Sequence, residues 1–234
     1  MERFFTDAFA AMSDTDRESF YKTVLLHDTS AYAAEARLAY YSKTLKHLGR
    51  NVKIGAGVKI VNPQYVSLGD NVTISDDVTL IARGEGGITI KDGAHLCERV
   101  YLDTENEDGG FIEVGERVYL GTGTTMFGHM GLEIGEDTLI AQNVTLTPYS
   151  HIFDDPTRII YGQGGHSRKV TIGRDCYIGM RVAILYSGDI GEGSIVGAGS
   201  VVVKPVPPYS LAVGYITPRL HFFCNLCRHR IHLR

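Results

Sequence analysis

The stretch IGEGSIVGAGSVV, residues 190–202, places a branched apolar side chain at Ile190, Val196 and Val202. A helix repeats every 3.6 residues and a strand every two, so neither produces a period of six. The same unit, apolar, small or polar, two polar, small or apolar, polar, recurs across the chain. It runs through residues 54–59, 68–79, 90–101, 114–125, 134–151 and 172–207. A short fixed period over most of a chain is the mark of a solenoid. Each sextet predicts a very short strand and a corner, and three sextets predict a triangular coil of about eighteen residues. The first position points into the prism and fills it. The fifth points inward near a corner and must be smaller, as at Val58, Val72, Ala94, Val118, Cys176, Val182 and Ser200. The second is often glycine (Gly55, Gly69, Gly115, Gly135, Gly173, Gly191, Gly197), predicted to supply unusual dihedrals at a tight corner. Backbone hydrogen bonds then run between stacked coils, as in a parallel sheet.

The fold expected is therefore an all-β solenoid with an N-terminal helical segment and a short C-terminal helix. Residues 1–49 read as two or three short helices. Thr15 and Glu18 resemble a capping box, and Leu38, Tyr41, Leu45 and Leu48 recur at helical spacing before Gly49. The prism occupies 50–214, and VKPVPPYS, 203–210, ends it, because proline cannot donate to a further ladder. The tail 215–234 reads as a helix. Three stretches break the count: a polar excursion at 103–111, a small insertion within 126–133, and a long loop at 152–169. Loops this long in a compact repeat tend to carry function.

Composition narrows the function classes. The chain has 234 residues, 44% of them hydrophobic, enough for one sizeable domain. A net charge of −4 gives no overall bias toward nucleic acid. Nothing after Glu192 is acidic, however, while Lys204, Arg219, Arg228, Arg230 and Arg234 are basic, which suits an anion such as phosphate. No stretch approaches the ~20 apolar residues of a membrane span, and Glu2 and Asp7 interrupt the opening residues as a secretory segment. Four cysteines make no disulfide framework, so a cytoplasmic location is expected.

Four stretches, IGEDTLIAQNVTL, HIFDDPTR, VTIGRDCYIGMRVAI and IGEGSIVGAGSVVVKPVPP, resemble the hexapeptide-repeat acyltransferases, in particular the galactoside, maltose and nodulation O-acetyltransferase branch. The order of a histidine loop, an aromatic-Ile-Gly corner and GAGSVV-x-K-x-VP carries the resemblance over residues 110–219. It implies a left-handed parallel β-helix, a homotrimer with active sites between subunits, and acetyl-CoA as donor. The family's catalytic histidine falls on His151. Asp154 and Arg158 match its H-x-x-D-x-x-x-R spacing. The donor-contact positions fall on Met180, Ala198, Val203, Lys204 and Arg219. A sugar-binding Asp falls on His129, and the Asn that helps hold the sugar falls on Gly121, so the galactoside acceptor does not carry over.

The chemistry implied is acetyl transfer from a thioester to a hydroxyl of a sugar or glycan precursor. A histidine near its reference pKa of ~6.5 can take the hydroxyl proton, a backbone N–H can hold the developing oxyanion, and no metal is needed. Neither Cys97 nor Cys176 is placed for a covalent acetyl-enzyme, so direct transfer is expected. His129, Asp154 and Arg158 are the acceptor-side candidates. Rival readings are N-acetylation of an amino-sugar nucleotide and a non-catalytic trimeric assembly protein. A zinc carbonic anhydrase on the same prism needs a His pair spaced five apart on one loop, which this sequence lacks. Cys224, Cys227 and His229, with His221 or His232, invite a zinc reading, but the spacing is short of a standard finger and the same residues suit an apolar helix face.

Overall fold

A computed structural model of the chain describes residues 11–20, 26–105 and 109–214, and the backbone of 220–222. The chain winds into a left-handed parallel β-helix with three faces, each a ladder of two- or three-residue parallel strands. The first face stacks Leu48, Leu68, Ile90, Val114, Ile134 and Ile172, and is continued by single bridges at Ile190 and Val206. The second stacks Ile54, Ile74, Leu96, Leu120, Ile140, Ile178, Val196 and Ala212. The third stacks Ile60, Leu80, Leu102, Met126, Leu146, Ile184 and Val202. Every first-position residue of the sequence repeat from Ile54 to Val202 is buried, and so are the small fifth-position residues named above, Cys176 among them. Each coil therefore removes three rows of branched side chains from water at roughly 25 cal/mol per Å².

Two details of the repeat differ from expectation. The left-handed corner dihedrals belong to position four, not position two: Asn71, Asp77, Arg99, Arg117, Asp137, Asn143, Asp175 and Arg181 all have φ between 53° and 59°. Position two is glycine for a different reason. A Cβ at Gly173 would lie 2.5 Å from the amide nitrogen of Glu192, in the next coil. The coils approach too closely there for a side chain.

The eighteen-residue coil is also the exception. Successive rungs on the second face step from Ile54 to Ile74, Leu96 and Leu120, so the early coils are longer. The surplus sits at one corner. Residues 62–65, 82–87, 104–111, 128–131, 147–169, 185–189 and 203–205 all join the third face to the next rung of the first. The other two corners stay short and uniform. All three irregular stretches of the sequence thus stack along a single edge of the prism.

The N-terminal helices are α1 (Asp14–Phe20) and α2 (Ala31–Thr44). The cap of α1 is Ser13, whose Oγ accepts from the Asp16 amide at 3.1 Å, rather than the expected Thr15–Glu18 pair. Ser30 caps α2 in the same way. The second helix stops at Thr44, and Leu45 is already extended. The Lys46 amide donates to Pro63 and Val66 carbonyls, and His47–Leu48 is a strand of the first face. Ladder pairing outcompetes the helical spacing of Leu45 and Leu48, and the prism begins before residue 50.

α2 seals the first coil. Within the column, Ile74 O and Val78 O accept from Gly55 and Lys59 of the coil before. Their counterparts Ile54 O and Val58 O have no coil before them. Arg37, almost wholly buried, donates from Nε to Ile54 O at 3.3 Å and from Nη1 to Asp28 O at 2.6 Å. The Tyr41 hydroxyl donates to Val58 O at 3.3 Å. Two side chains thus serve carbonyls that no preceding coil can reach.

At the other end, part of the expected helical tail is strand. Leu220–Phe222 pairs antiparallel with Ser210–Ala212, satisfying the edge of the last rung. The remainder of 215–234 lies outside the described residues, as do Arg219 and the Cys224, Cys227 and His229 cluster.

Candidate active site

The irregular edge carries the candidate base. Tyr149–His151 leaves the prism as a strand and returns antiparallel as Gly165–Ser167, forming an arm. The tip of that arm is closed from within. The Asp155 carboxylate accepts from the Thr157 amide and hydroxyl at 2.9 and 2.6 Å. The Gln163 side chain accepts from the Asp155 amide and donates to Asp155 and Arg158 carbonyls. An Arg168–Asp189 ion pair ties the arm's return to the next coil. His151 is exposed at the arm's root.

A series of rings leads from the prism to His151. Tyr101 meets Phe127 at 6.1 Å and Phe127 meets His129 at 6.2 Å between centroids, both edge-on. His129 stacks on Tyr149 at 5.0 Å with planes 18° apart. Tyr149 meets His151 at 4.9 Å and 87°. The stack follows from register: Met126 pairs with Leu146, so position 129 lies one rung from 149.

The series is rooted in a buried carboxylate. Asp103, with no exposed surface, accepts from Arg83 Nε and Nη2 at 2.8 Å each, from the Tyr101 hydroxyl at 2.9 Å and from the Glu105 amide at 2.8 Å. Burial alone would raise its pKa, but these donors, Arg83 foremost, hold it below the usual carboxylate range. Burial and the bond to Asp103 push the Tyr101 phenol up to about 12. Burial pushes the His129 imidazole down, against the opposing pull of Glu105 and Asp103, and its Nδ1 is buried without a hydrogen-bond partner. His129 is therefore a neutral ring at neutral pH.

The residues singled out from sequence fall into three groups. His129 and His151 are brought together through Tyr149. Val203 and Lys204 lie on the same irregular edge, at its last coils, with Lys204 exposed. Met180 and Ala198 are stacked on another edge, between the second and third faces, where the Gly199 amide donates to Met180 O at 2.8 Å. Both are exposed. Asp154 and Arg158 are exposed on the arm and not bonded to His151, and Arg158 Nη2 donates instead to Gly162 O at 2.6 Å. Gly121 is where a Cβ would lie 2.6 Å from the Ala141 carbonyl carbon, so its smallness serves packing.

Sequence reasoning missed Tyr149, Gln163 and the Arg83–Asp103–Tyr101 cluster. A signal existed for the first: MFGHM and PYSHI each place an aromatic two residues before a histidine, in successive coils.

Residues 169–204 match the family model described as "Hexapeptide repeat of succinyl-transferase". Two curated relatives extend the likeness. One is named a probable acetyltransferase of Mycobacterium tuberculosis, 31% identical over 67% of this chain and 51% of its own length. The other is the galactoside O-acetyltransferase of Escherichia coli, 35% identical over 54% of this chain and 59% of its own. The chain is a hexapeptide-repeat protein similar to acetyltransferases. It spans about half to three-fifths of the length of these two relatives. Among solved structures, a variant of AntD, an N-acyltransferase from Bacillus cereus in complex with dTDP and coenzyme A, shares the fold. Its TM-score is 0.54 at 20% identity, over 85% of this chain and 89% of that one. A column of this kind is generic, and any chemistry must come from what its edges carry. Among the described residues no helix is long and apolar enough to cross a membrane, and no group of three or more His, Cys, Asp or Glu could hold a metal ion.

Proposed function

We propose that the chain is an acetyl-CoA-dependent O-acetyltransferase acting on a hydroxyl of a sugar or glycan precursor, with His151 as general base. The observation that carries this is the exposed imidazole of His151 at the end of a ring series on the edge where all the loops gather. The 35% identity to a galactoside O-acetyltransferase over 54% of the chain supports it.

The acceptor hydroxyl gives its proton to an imidazole nitrogen as its oxygen bonds to the thioester carbonyl carbon. The carbonyl oxygen takes the charge, held by a backbone N–H at a corner. The C–S bond then breaks, and the CoA thiolate takes the proton from the imidazolium. Cys176 favours direct transfer by being unfit for the alternative: its thiol is buried, donates to Gly191 O at 3.2 Å, and is pushed up by burial.

The active site would be shared between copies. His151 stands on one edge of the column and Met180 and Ala198 on another, with the third face between them. The arm also exposes Phe153, Ile159, Ile160 and Tyr161, apolar surface that suits burial against a neighbouring column in a homotrimer. Lys204, and Val203 beside it, would meet the phosphates or pantetheine of CoA, as would Arg219. His129 would line the acceptor pocket, with Asp154 and Arg158 at its rim. The reaction belongs with the cytoplasmic acetyl-CoA pool.

Thiol release from acetyl-CoA, measured against sugars, aminosugars and nucleotide sugars, tests the reading. His151→Ala should lower turnover at least ~10²-fold in folded protein. Near-normal turnover would refute the base, amine acceptors dominating the panel would reassign the reaction to N-acetylation, and absence of CoA binding would point to an assembly protein.

A further inference from the structure

His151 sits on a two-stranded arm, and such a ribbon is weakly held by itself. Among the described residues no side chain hydrogen-bonds its imidazole. A base that must accept a proton along one direction needs a fixed ring plane, and here the element that fixes it is another ring.

We propose that Tyr149 is the positioning residue of this site: its ring, seated over Gly165 and stacked on His129, sets the direction in which the His151 imidazole faces the acceptor. The proposal rests on the reading of His151 as the base. Two observations and one general preference of aromatic rings carry it. Tyr149 touches both histidines, one face-on and one edge-on, so its plane defines the angle between them. Edge-to-face contact is a directional preference of aromatic rings, not merely a packing accident. Finally, the seat is cut to the ring: a Cβ at Gly165 would lie 2.6 Å from Tyr149 Cε2, and closer still to Cζ and the hydroxyl. Gly165 does not sit at positive φ, so its smallness serves the ring and not the backbone.

His129 gives the seat its rigidity. It is backed by Phe127 and Tyr101, and Tyr101 is fixed by Asp103. The chain of contacts is continuous from the buried ion pair to the exposed base, and the Tyr149 hydroxyl takes no part in it.

The test uses the full-length protein and four variants. Tyr149→Ala should lower kcat about ten- to a hundredfold, the scale of a misplaced catalytic group, with KM for acetyl-CoA unchanged. Tyr149→Phe should keep wild-type kcat. Gly165→Ala, which leaves the tyrosine in place but displaces its ring, should reproduce the Tyr149→Ala loss. Tyr149→Leu serves if the alanine variant does not fold. A second readout needs no acceptor: in protein labelled at histidine Cε1, the His151 resonance, assigned by its absence in His151→Ala, carries a ring-current shift from Tyr149. That shift should vanish in Tyr149→Ala or Tyr149→Leu, change in Gly165→Ala and persist in Tyr149→Phe. An unmoved His151 resonance, or wild-type kcat in Tyr149→Ala beside a dead His151→Ala, would overturn the positioning role alone. Full turnover in His151→Ala would overturn the base assignment instead.

Discussion

Replacing Asp103 by Asn isolates the anchor of the ring series. The carboxylate is fully buried and accepts four hydrogen bonds: Oδ1 from Arg83 Nε and the Glu105 amide, Oδ2 from Arg83 Nη2 and the Tyr101 hydroxyl. An Asn amide supplies only one acceptor oxygen. Whichever way it turns, its NH2 faces one of the two Arg83 donors, and the guanidinium loses its counter-charge. Removing one partner of a buried pair costs about 3–5 kcal/mol. The Arg83 side chain is 40% exposed and retains some water, so the low end applies, about 3 kcal/mol. For a chain of this size that lowers Tm by about 6–12 °C. Differential scanning fluorimetry at neutral pH measures the shift. Because the carboxyl is held below its usual range when folded, its contribution is present above the unfolded carboxylate pKa of ~3.9 and fades as pH falls through the lower folded value. The wild-type and Asn variants should therefore converge in stability below about pH 4. A Tm change under ~2 °C at neutral pH, or an undiminished gap in acid, would refute the account of Asp103 as a paired anchor.

Gly173→Ala should destabilise the column by about 1–3 kcal/mol, because its methyl meets the backbone of the next coil; urea midpoints at constant m-value would register this. Tyr41→Phe removes one bond to Val58 O and should cost about 1 kcal/mol, against a larger loss for Arg37→Met, which strips two carbonyls of a charged donor, as paired urea melts would show. Asp70 and Asp137 are held below the usual carboxylate range by guanidinium hydrogen bonds from Arg50 and Arg117, and Glu192 by the Tyr209 hydroxyl first and the Arg174 guanidinium second. These groups also favour the folded state only above the unfolded carboxylate range, so acid unfolding followed by circular dichroism should be shallower at high salt. Native alkylation with iodoacetamide should leave Cys176 unmodified, as peptide mapping by mass spectrometry can verify.

Much of the column was legible because a period of six has a single geometric outcome. Ile190, Val196 and Val202 announce three faces, and the structure buries all of them. The corners were read less well. Glycine at position two suggested a dihedral requirement, whereas the positive φ falls on Asn, Asp and Arg at position four; the sequence shows which residue is small but not which neighbour approaches it. Leu45 and Leu48 fit a helix locally, but Leu45 is the extended cap that ends it and Leu48 is claimed by a ladder with Leu68, twenty positions on. At the site, His151 stood out through motif order. Tyr149 did not, because its role depends on two rungs coming into register across the third face. Asp103 was visible only as one acid within a polar excursion, since nothing local to it says that Arg83 lies one coil away.

The sealing of the first coil by Arg37 and Tyr41 bears on how the molecule behaves at high concentration. A parallel column ends in open rows of backbone acceptors that an identical column could extend, building a filament. With Ile54 O and Val58 O already bonded, and Leu220–Phe222 laid antiparallel on the last rung of the second face, these rows, among the described residues, are closed to such growth. Where these rows are closed, a second column meets side chains rather than free backbone, which favours side-by-side contact over end-to-end growth.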